Sequence, residues 1–181
     1  MNCAITTPLF GTIVESFGGS WQANLRLDNQ SLLTFSAVYA CLSLISGDIA
    51  KLGVKLKKLE ESGIWADTTN TAYSPVLRKP NRYQTWLQFI EQWVLSKLTY
   101  GNTYVFKERD NRNVVVALYV LDPNAVTPLV ASDGDVFYQI NCSELAGIPA
   151  GGLTFPASEI MHDRAKCLYH PLIGVSPLHA C

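Results

Sequence analysis

Five histidine and cysteine side chains near the C-terminal end give the sequence its strongest suggestion of a chemical site: His162, Cys167, His170, His179 and Cys181. Cys167 and His170 have two residues between them, a spacing at which both side chains can bind one zinc ion. His179 and Cys181 have only one, whereas paired zinc ligands normally have two to four. We therefore favour unrelated loop and core residues, expect no metal or other cofactor, and keep a metal-dependent enzyme as an alternative.

The sequence contains no other arrangement typical of catalysis. A G-x-S-x-G nucleophile turn is absent, and Ser176 lies in G-V-S-P-L, where Pro177 suits the first position of a helix. The pattern G-x-G-x-x-G is absent too, and Gly18-Gly19-Ser20 lacks the lysine of a phosphate-binding loop. No pair of carboxylates stands out for acid–base chemistry. These features predict a protein that is not an enzyme.

The composition is that of a folded chain with little overall charge. The 181 residues suit a single domain, and 48% of them are hydrophobic, which excludes an intrinsically disordered protein. The net charge is -1, so no global field attracts DNA or a membrane. A DNA-binding role would depend on a local patch. Lys55, Lys57 and Lys58 are the candidate contacts, although the solvated face of a strand is the favoured interpretation of this patch.

Hydrophobic periodicity predicts an amphipathic helix from about Ser36 to Leu52. At 100° per residue its apolar side chains share one stripe, formed by Val38, Cys41, Leu42, Ile45, Ile49 and Leu52. Polar side chains and a glycine lie opposite, so the helix is two-sided and unlike a lipid-facing span. Residues 1–33 are rich in turns and lack a clear period, which predicts an extended N-terminal arm. We expect no association with a membrane.

A second amphipathic helix is indicated by Thr85 and Gln88, which stand in capping-box relation, and by Gly101 as its left-handed end. Segments of period two then predict antiparallel hairpins, which pair 54–57 with 64–66, 103–107 with 114–121, and 126–130 with 136–140, and a short strand at 159–162. The strand at 54–57 should be half-buried. Helices and hairpins are segregated along the chain, so the predicted fold class is α+β.

Eight short segments then occur in a recognisable order. They are 37–41 (AVYAC), 49–52 (IAKL), 74–81 (SPVLRKPN), 85–86 (TW), 100–105 (YGNTYV), 118–123 (LYVLDP), 159–162 (EIMH) and 171–178 (PLIGVSPL). In order and spacing they resemble the front half of a tailed-bacteriophage portal protein, the head–tail connector of long-tailed phages. The resemblance covers about residues 34–181.

The resemblance implies a structural subunit, or a truncated remnant of one. Portal subunits assemble as rings, typically dodecamers, at one capsid vertex. They form the channel through which double-stranded DNA is packaged and ejected, and they bind terminase, capsid and head–tail connector proteins. Residues 34–181 would be the wing-side N-terminal portion, truncated before the stem and clip segments of the family. The implied location is the virion vertex, or the host cytoplasm during assembly.

The residues expected to matter in this setting act through backbone geometry. They lie at a turn, at the helix-to-strand switch and near the C-terminal end, and are Pro80, Asn81, Gly101, Asn102, Gly174, Ser176 and Pro177. The alternative function is a small non-enzymatic interaction module of prophage origin that binds phage assembly proteins or interferes with them.

Overall fold

The computed structural model describes residues 10–12, 33, 35–141, 143, 146–149, 152–168 and 170–180, with residues 10–12, 179 and 180 described by their backbone alone. Most of the predicted arm, residues 1–33, therefore lies outside the described part of the chain, and so does Cys181. The boundary between arm and wing-side portion stays a prediction.

The described helices are α1 (Ser36–Ala50), α2 (Ser74–Arg78) and α3 (Trp86–Tyr100). At the start of α3 the backbone N–H of Gln88 donates to Thr85 Oγ1 at 3.4 Å, and the backbone N–H of Thr85 donates to Gln88 Oε1 at 2.9 Å. The helix ends at Gly101, whose φ of 76° is in the left-handed region that favours glycine. Both predicted ends of α3 are confirmed, and α1 ends two residues earlier than predicted.

In chain order the strands are β1 (Phe10–Thr12), β2 (Lys57–Leu59), β3 (Trp65–Asp67), β4 (Asn102–Arg109), β5 (Val115–Leu121), β6 (Val126–Ala131), β7 (Val136–Ile140), β8 (Leu153–Pro156) and β9 (Ile160–Arg164). They form antiparallel sheets with the orders β1-β6-β7-β8 and β5-β4-β9, and a hairpin of β2 and β3. The α+β class is confirmed. Sequence periodicity missed β1, β8 and the short α2.

Side chains alternate along each strand of the three-stranded sheet and so lie on both of its faces. Each face packs on a different element. On β4, Val105 packs with Phe89 of α3, whereas its neighbour Tyr104 packs with Tyr138 and Ile140 of the four-stranded sheet. The fold is therefore layered, with α3 on one side of the central sheet and the larger sheet on the other. Helix α1 packs on the outside of α3.

The buried face of α1 differs from the predicted stripe. Its buried residues are Leu42, Ser46 and Ala50, whereas Ile45 and Ile49 of the predicted stripe remain 44% and 40% exposed. At 100° per residue the two directions differ by about 90°. The reason is steric, since the small side chains of Ser46 and Ala50 let α1 approach α3 closely. The larger apolar residues are left on the flank.

The first hairpin also differs from its prediction. Its strands are β2 and β3 rather than 54–57 and 64–66, and every residue of β2 is exposed. Leu59 and Trp65 are direct cross-strand partners, yet they remain 50% and 60% exposed. The prediction of a half-buried strand at 54–57 is therefore wrong. No helix among the described residues is long and apolar enough to cross a membrane.

The cap of α3 gives a first testable prediction. Replacing Thr85→Ala removes the side-chain acceptor for a helix N–H, and we expect a loss of about 1 kcal/mol in the free energy of unfolding. Urea denaturation measures this loss. Thr71→Ala is the matched control, because Thr71 is exposed and lies outside the helices. Equal effects of the two substitutions would show that the cap contributes nothing.

Candidate functional site

The C-terminal end of α3 is held against the last described segment of the chain by a close backbone approach. A Cβ atom on Gly101 would overlap the carbonyl oxygen of Gly174 and lie 2.6 Å from the backbone N of Ser176. A Cβ atom on Gly174 would in turn overlap the carbonyl oxygen of Gly101 and lie 2.7 Å from the backbone N of Ala165. Both positions therefore require glycine for space, and Gly101 requires it for its φ as well.

Side chains beside this contact bind it together. Asn102 Nδ2 donates to the carbonyl oxygen of Gly174 at 2.9 Å, and Asn102 Oδ1 accepts from the N–H of Gly174 at 2.8 Å. The hydroxyl of Ser176, which is 1% exposed, donates to the carbonyl oxygen of Leu98 at 2.7 Å. The backbone N–H of Ala165 donates to the carbonyl oxygen of Gly101 at 2.8 Å. We call these residues the glycine junction: Gly101, Asn102, Gly174 and Ser176.

A half-buried imidazole extends the glycine junction into the sheets. His162 Nε2 lies 3.2 Å from Asn102 Oδ1, and His162 Nδ1 lies 3.1 Å from the hydroxyl of Tyr138. Its ring stacks on Tyr104 with centroids 4.3 Å apart. Because Asn102 Oδ1 only accepts, the arrangement fits a neutral imidazole with its proton on Nε2 and a hydrogen bond donated by Tyr138. Burial, with a smaller effect of Arg164, lowers the pKa of His162 to about 4.

This network bears on the zinc hypothesis, because both ring nitrogens of His162 already lie within hydrogen-bonding distance of protein groups. His170 Nδ1 accepts from the backbone N–H of Leu172 at 3.1 Å, and Cys167 is exposed. Within the described ranges no three His, Cys, Asp or Glu residues are placed to hold a metal ion.

Pro80 and Asn81 lie elsewhere and connect the start of α3 to β5. The backbone N–H of Leu118 donates to the carbonyl oxygen of Pro80 at 2.7 Å, and Asn81 Nδ2 donates to the carbonyl oxygen of Leu118 at 2.8 Å. Asn81 Oδ1 accepts from the backbone N–H of Gln84 at 2.8 Å. Pro177 is exposed and begins a final 3-10 turn. The predicted structural residues thus fall at two places, and a role in assembly stays a prediction for each of them.

The three candidate DNA-contacting lysines lie on the first hairpin and its approach. Lys55 and Lys57 pair with Asp67 at 3.0 and 3.9 Å, and Lys55 holds the pKa of the Asp67 carboxyl below its usual range by its hydrogen bond and its charge. Lys58 has no ion pair among the described residues. Contact of these lysines with DNA stays a prediction.

A feature that sequence reasoning missed is an open apolar groove of about 580 Å³ along the flanks of α1 and α3. Its apolar lining consists of Ile45, Ile49, Val54, Trp86, Ile90, Trp93, Val94 and Leu98. Its charged groups are Lys97 and Asp163, which pair at 2.7 Å. The indole N–H of Trp86 is buried without a hydrogen-bond partner in the described part of the chain. No signal in the sequence marks the groove, because the apolar stripe predicted for α1 has the ordinary width of a core-facing stripe.

Comparison with known proteins gives this geometry a family. The family model described as phage portal protein matches residues 36–181, which is well over half of the chain. The chain belongs to the phage portal protein family. The resemblance drawn from the eight sequence segments is therefore confirmed. No curated protein matches the chain in sequence.

Several solved structures share the portal-family fold of this chain. The neck of an empty GTA particle, computed with C6 symmetry, matches with a TM-score of 0.65 and 18% identity over 84% of this chain and 40% of that one. The neck of the native GTA particle, computed with C12 symmetry, gives 0.64 and 18% over 84% and 39%. The virion of a native gene transfer agent gives 0.64 and 18% over 85% and 40%. This portal-family chain thus spans about 40% of the length of those chains.

The close backbone approach in this portal-family fold gives a second testable prediction. Gly101→Ala should lower the free energy of unfolding by at least about 3 kcal/mol, because it adds an overlap with Gly174 to the 1–2 kcal/mol of a left-handed alanine. Thermal or urea unfolding measures the loss. Gly134→Ala is the matched control, since Gly134 has a φ of 92° but open space around its Cβ position. Equal losses in the two variants would contradict a tight glycine junction.

The half-buried imidazole of His162 gives a third testable prediction. The pKa of folded His162 is about 4, below the ordinary value of 6.5, so between these pH values the unfolded chain binds a proton that the folded chain does not. Stability should therefore fall as the pH drops from 6.5 to 4, by on the order of 2 kcal/mol from this residue alone.

His162→Gln tests this prediction because it removes the titrating ring. Urea unfolding of both proteins at steps between pH 7.5 and 4 measures the difference, and comparison of the two cancels the titration of the carboxylates. We expect a smaller loss of stability in the variant over this window. Parallel curves would contradict a neutral, desolvated His162.

Proposed function

We propose that this chain is a structural subunit of a portal ring at the vertex of a phage-type particle. The observation that carries the proposal is the family match over residues 36–181, supported by a fold shared with neck proteins solved at C6 and C12 symmetry. Its location would then be the virion, or the host cytoplasm while particles assemble. Since the chain spans about 40% of the length of those neck chains, it would supply the wing-side portion of the ring.

The described residues suit a structural rather than a catalytic role. Burial keeps His162 neutral, Tyr138 and Asn102 hold its ring in place, and no three His, Cys, Asp or Glu residues of the described part of the chain are placed to hold a metal ion. The central sheet is covered on both faces, and Pro80, Asn81 and the glycine junction tie the two ends of α3 to distant parts of the chain. Such a rigid body suits repeated assembly, and we propose that the protein is not an enzyme.

The finer assignments follow from the family and are part of the same proposal. The subunit would form a ring with copies of itself and enclose a channel for double-stranded DNA during packaging and ejection. Terminase, capsid and head–tail connector proteins would be its other partners. Lys55, Lys57 and Lys58 would be candidate DNA contacts, because they are exposed and phosphate contacts require only positive charge within reach.

Purified protein tests the assembly directly. Mass photometry and negative-stain electron microscopy over a range of concentrations should show discrete closed rings with a central channel. A single discrete mass separates rings from aggregates, which give a broad distribution. A monomer at every concentration, up to the highest that stays in solution, would overturn the proposal that this chain forms a ring.

A further inference from the structure

The chain has two apolar surfaces, and neither is covered by the described residues. One is the concave groove between α1 and α3, of which Ile45, Ile49 and Val54 remain 44%, 40% and 51% exposed. The other is the hairpin of β2 and β3, on which Leu59 and Trp65 share one face and are 50% and 60% exposed. Uncovered apolar surface of this kind marks an interaction site.

The hairpin needs a packing partner for its own stability. A two-stranded hairpin is marginal in water unless it packs on other elements, and β2 and β3 pack mainly on each other. A cross-strand pair of leucine and tryptophan contributes more when its free face is buried, since a buried aromatic side chain removes 150 Å² or more from water. The apolar face of the hairpin is therefore expected to pack against a partner.

The charges of the two surfaces permit their contact. Each surface carries an ion pair that is already formed, Lys57 with Asp67 on the hairpin and Lys97 with Asp163 in the groove, at 3.9 and 2.7 Å. The nearest cation and anion with no ion pair among the described residues lie off the two apolar faces: Lys58 is opposite Ala66 on the other face of the hairpin from Leu59, and Glu91 of α3 is not among the residues that line the groove. Contact between the two apolar faces therefore buries apolar area together with charges that are already paired, and no unpaired charge among the described residues of either face is buried.

We propose that the hairpin of one copy of this chain inserts its Leu59 and Trp65 face into the groove between α1 and α3 of the next copy. The proposal rests on the ring assembly proposed above and names the contact that would build it. Because the hairpin and the groove are different surfaces, the contact is heterologous, and such contacts propagate around a ring. Each copy would use both surfaces, so a single type of contact would cover both.

Two single substitutions test the contact, one on each surface. Trp65→Glu places a charge on the hairpin, and Ile45→Glu places one on the exposed flank of α1 that lines the groove. Each should weaken the association of copies by about 30-fold or more in Kd, as loss of an interface hot spot does. The matched controls are Tyr73→Glu, at 60% exposure outside both surfaces, and Leu44→Glu, at 66% exposure on the opposite side of α1. Both controls should assemble like the original protein.

Mixing the two variants distinguishes this contact from others. The Trp65→Glu variant keeps an intact groove, and the Ile45→Glu variant keeps an intact hairpin. An equimolar mixture should therefore form one-to-one dimers that cannot grow, although each variant alone stays monomeric. Sedimentation velocity measures both states, and circular dichroism checks that every variant is folded.

The outcomes separate this inference from the proposed function. If the original protein forms rings and either variant still forms them with unchanged affinity, the hairpin–groove contact is wrong while ring assembly stands. If both variants are folded monomers but their mixture stays monomeric, the two surfaces do not meet each other and the inference is overturned. If the original protein is itself monomeric, ring assembly by this chain fails, and this contact fails with it.

Discussion

The whole described structure depends on one close backbone contact, that between Gly101 and Gly174. It is there that α3 ends, the central strand β4 begins and the last described segment of the chain returns. Asn102 satisfies both the N–H and the carbonyl of Gly174, so the backbone groups exposed by the turn find partners without water. Because the two glycines leave no space for a side chain, the contact fixes the position of α3 relative to the sheet it covers.

Local signals in the sequence predicted local features well. Thr85 and Gln88 define the start of α3, and Gly101 its end, because caps and left-handed turns are determined by a few neighbouring residues. The pairing of 126–130 with 136–140 was predictable for the same reason. The partner of Gly101 was not, since Gly174 lies 73 positions further along and no periodicity relates them. The fold class was therefore predictable. The residues of the glycine junction were each singled out in the sequence, but the contact that joins them was not predicted.

Helix α1 and the first hairpin show what sequence periodicity does not predict. Periodicity identifies which side chains of α1 are apolar, but it does not reveal which of them find a neighbour. Ser46 and Ala50 are buried against α3 because they are small, whereas Ile45 and Ile49 lie on the exposed flank of α1. Leu59 and Trp65 likewise read as ordinary strand residues, and only the structure shows that their face is uncovered. The groove could not be predicted because it exists only between two elements.

The separation of 72 residues between Asn102 and Gly174 has a consequence for synthesis on the ribosome. The polypeptide emerges from its N-terminal end, so α3 and β4 leave the exit tunnel well before the segment that completes them. Until then the end of α3 lacks its contacts with Gly174 and Ser176, and the edge of β4 that pairs with β9 has no partner strand. Contacts this distant in the sequence close late, and nascent chains with unpaired edges are exposed to aggregation. This one long-range closure would thus be the step of synthesis at which the nascent chain is most exposed to aggregation.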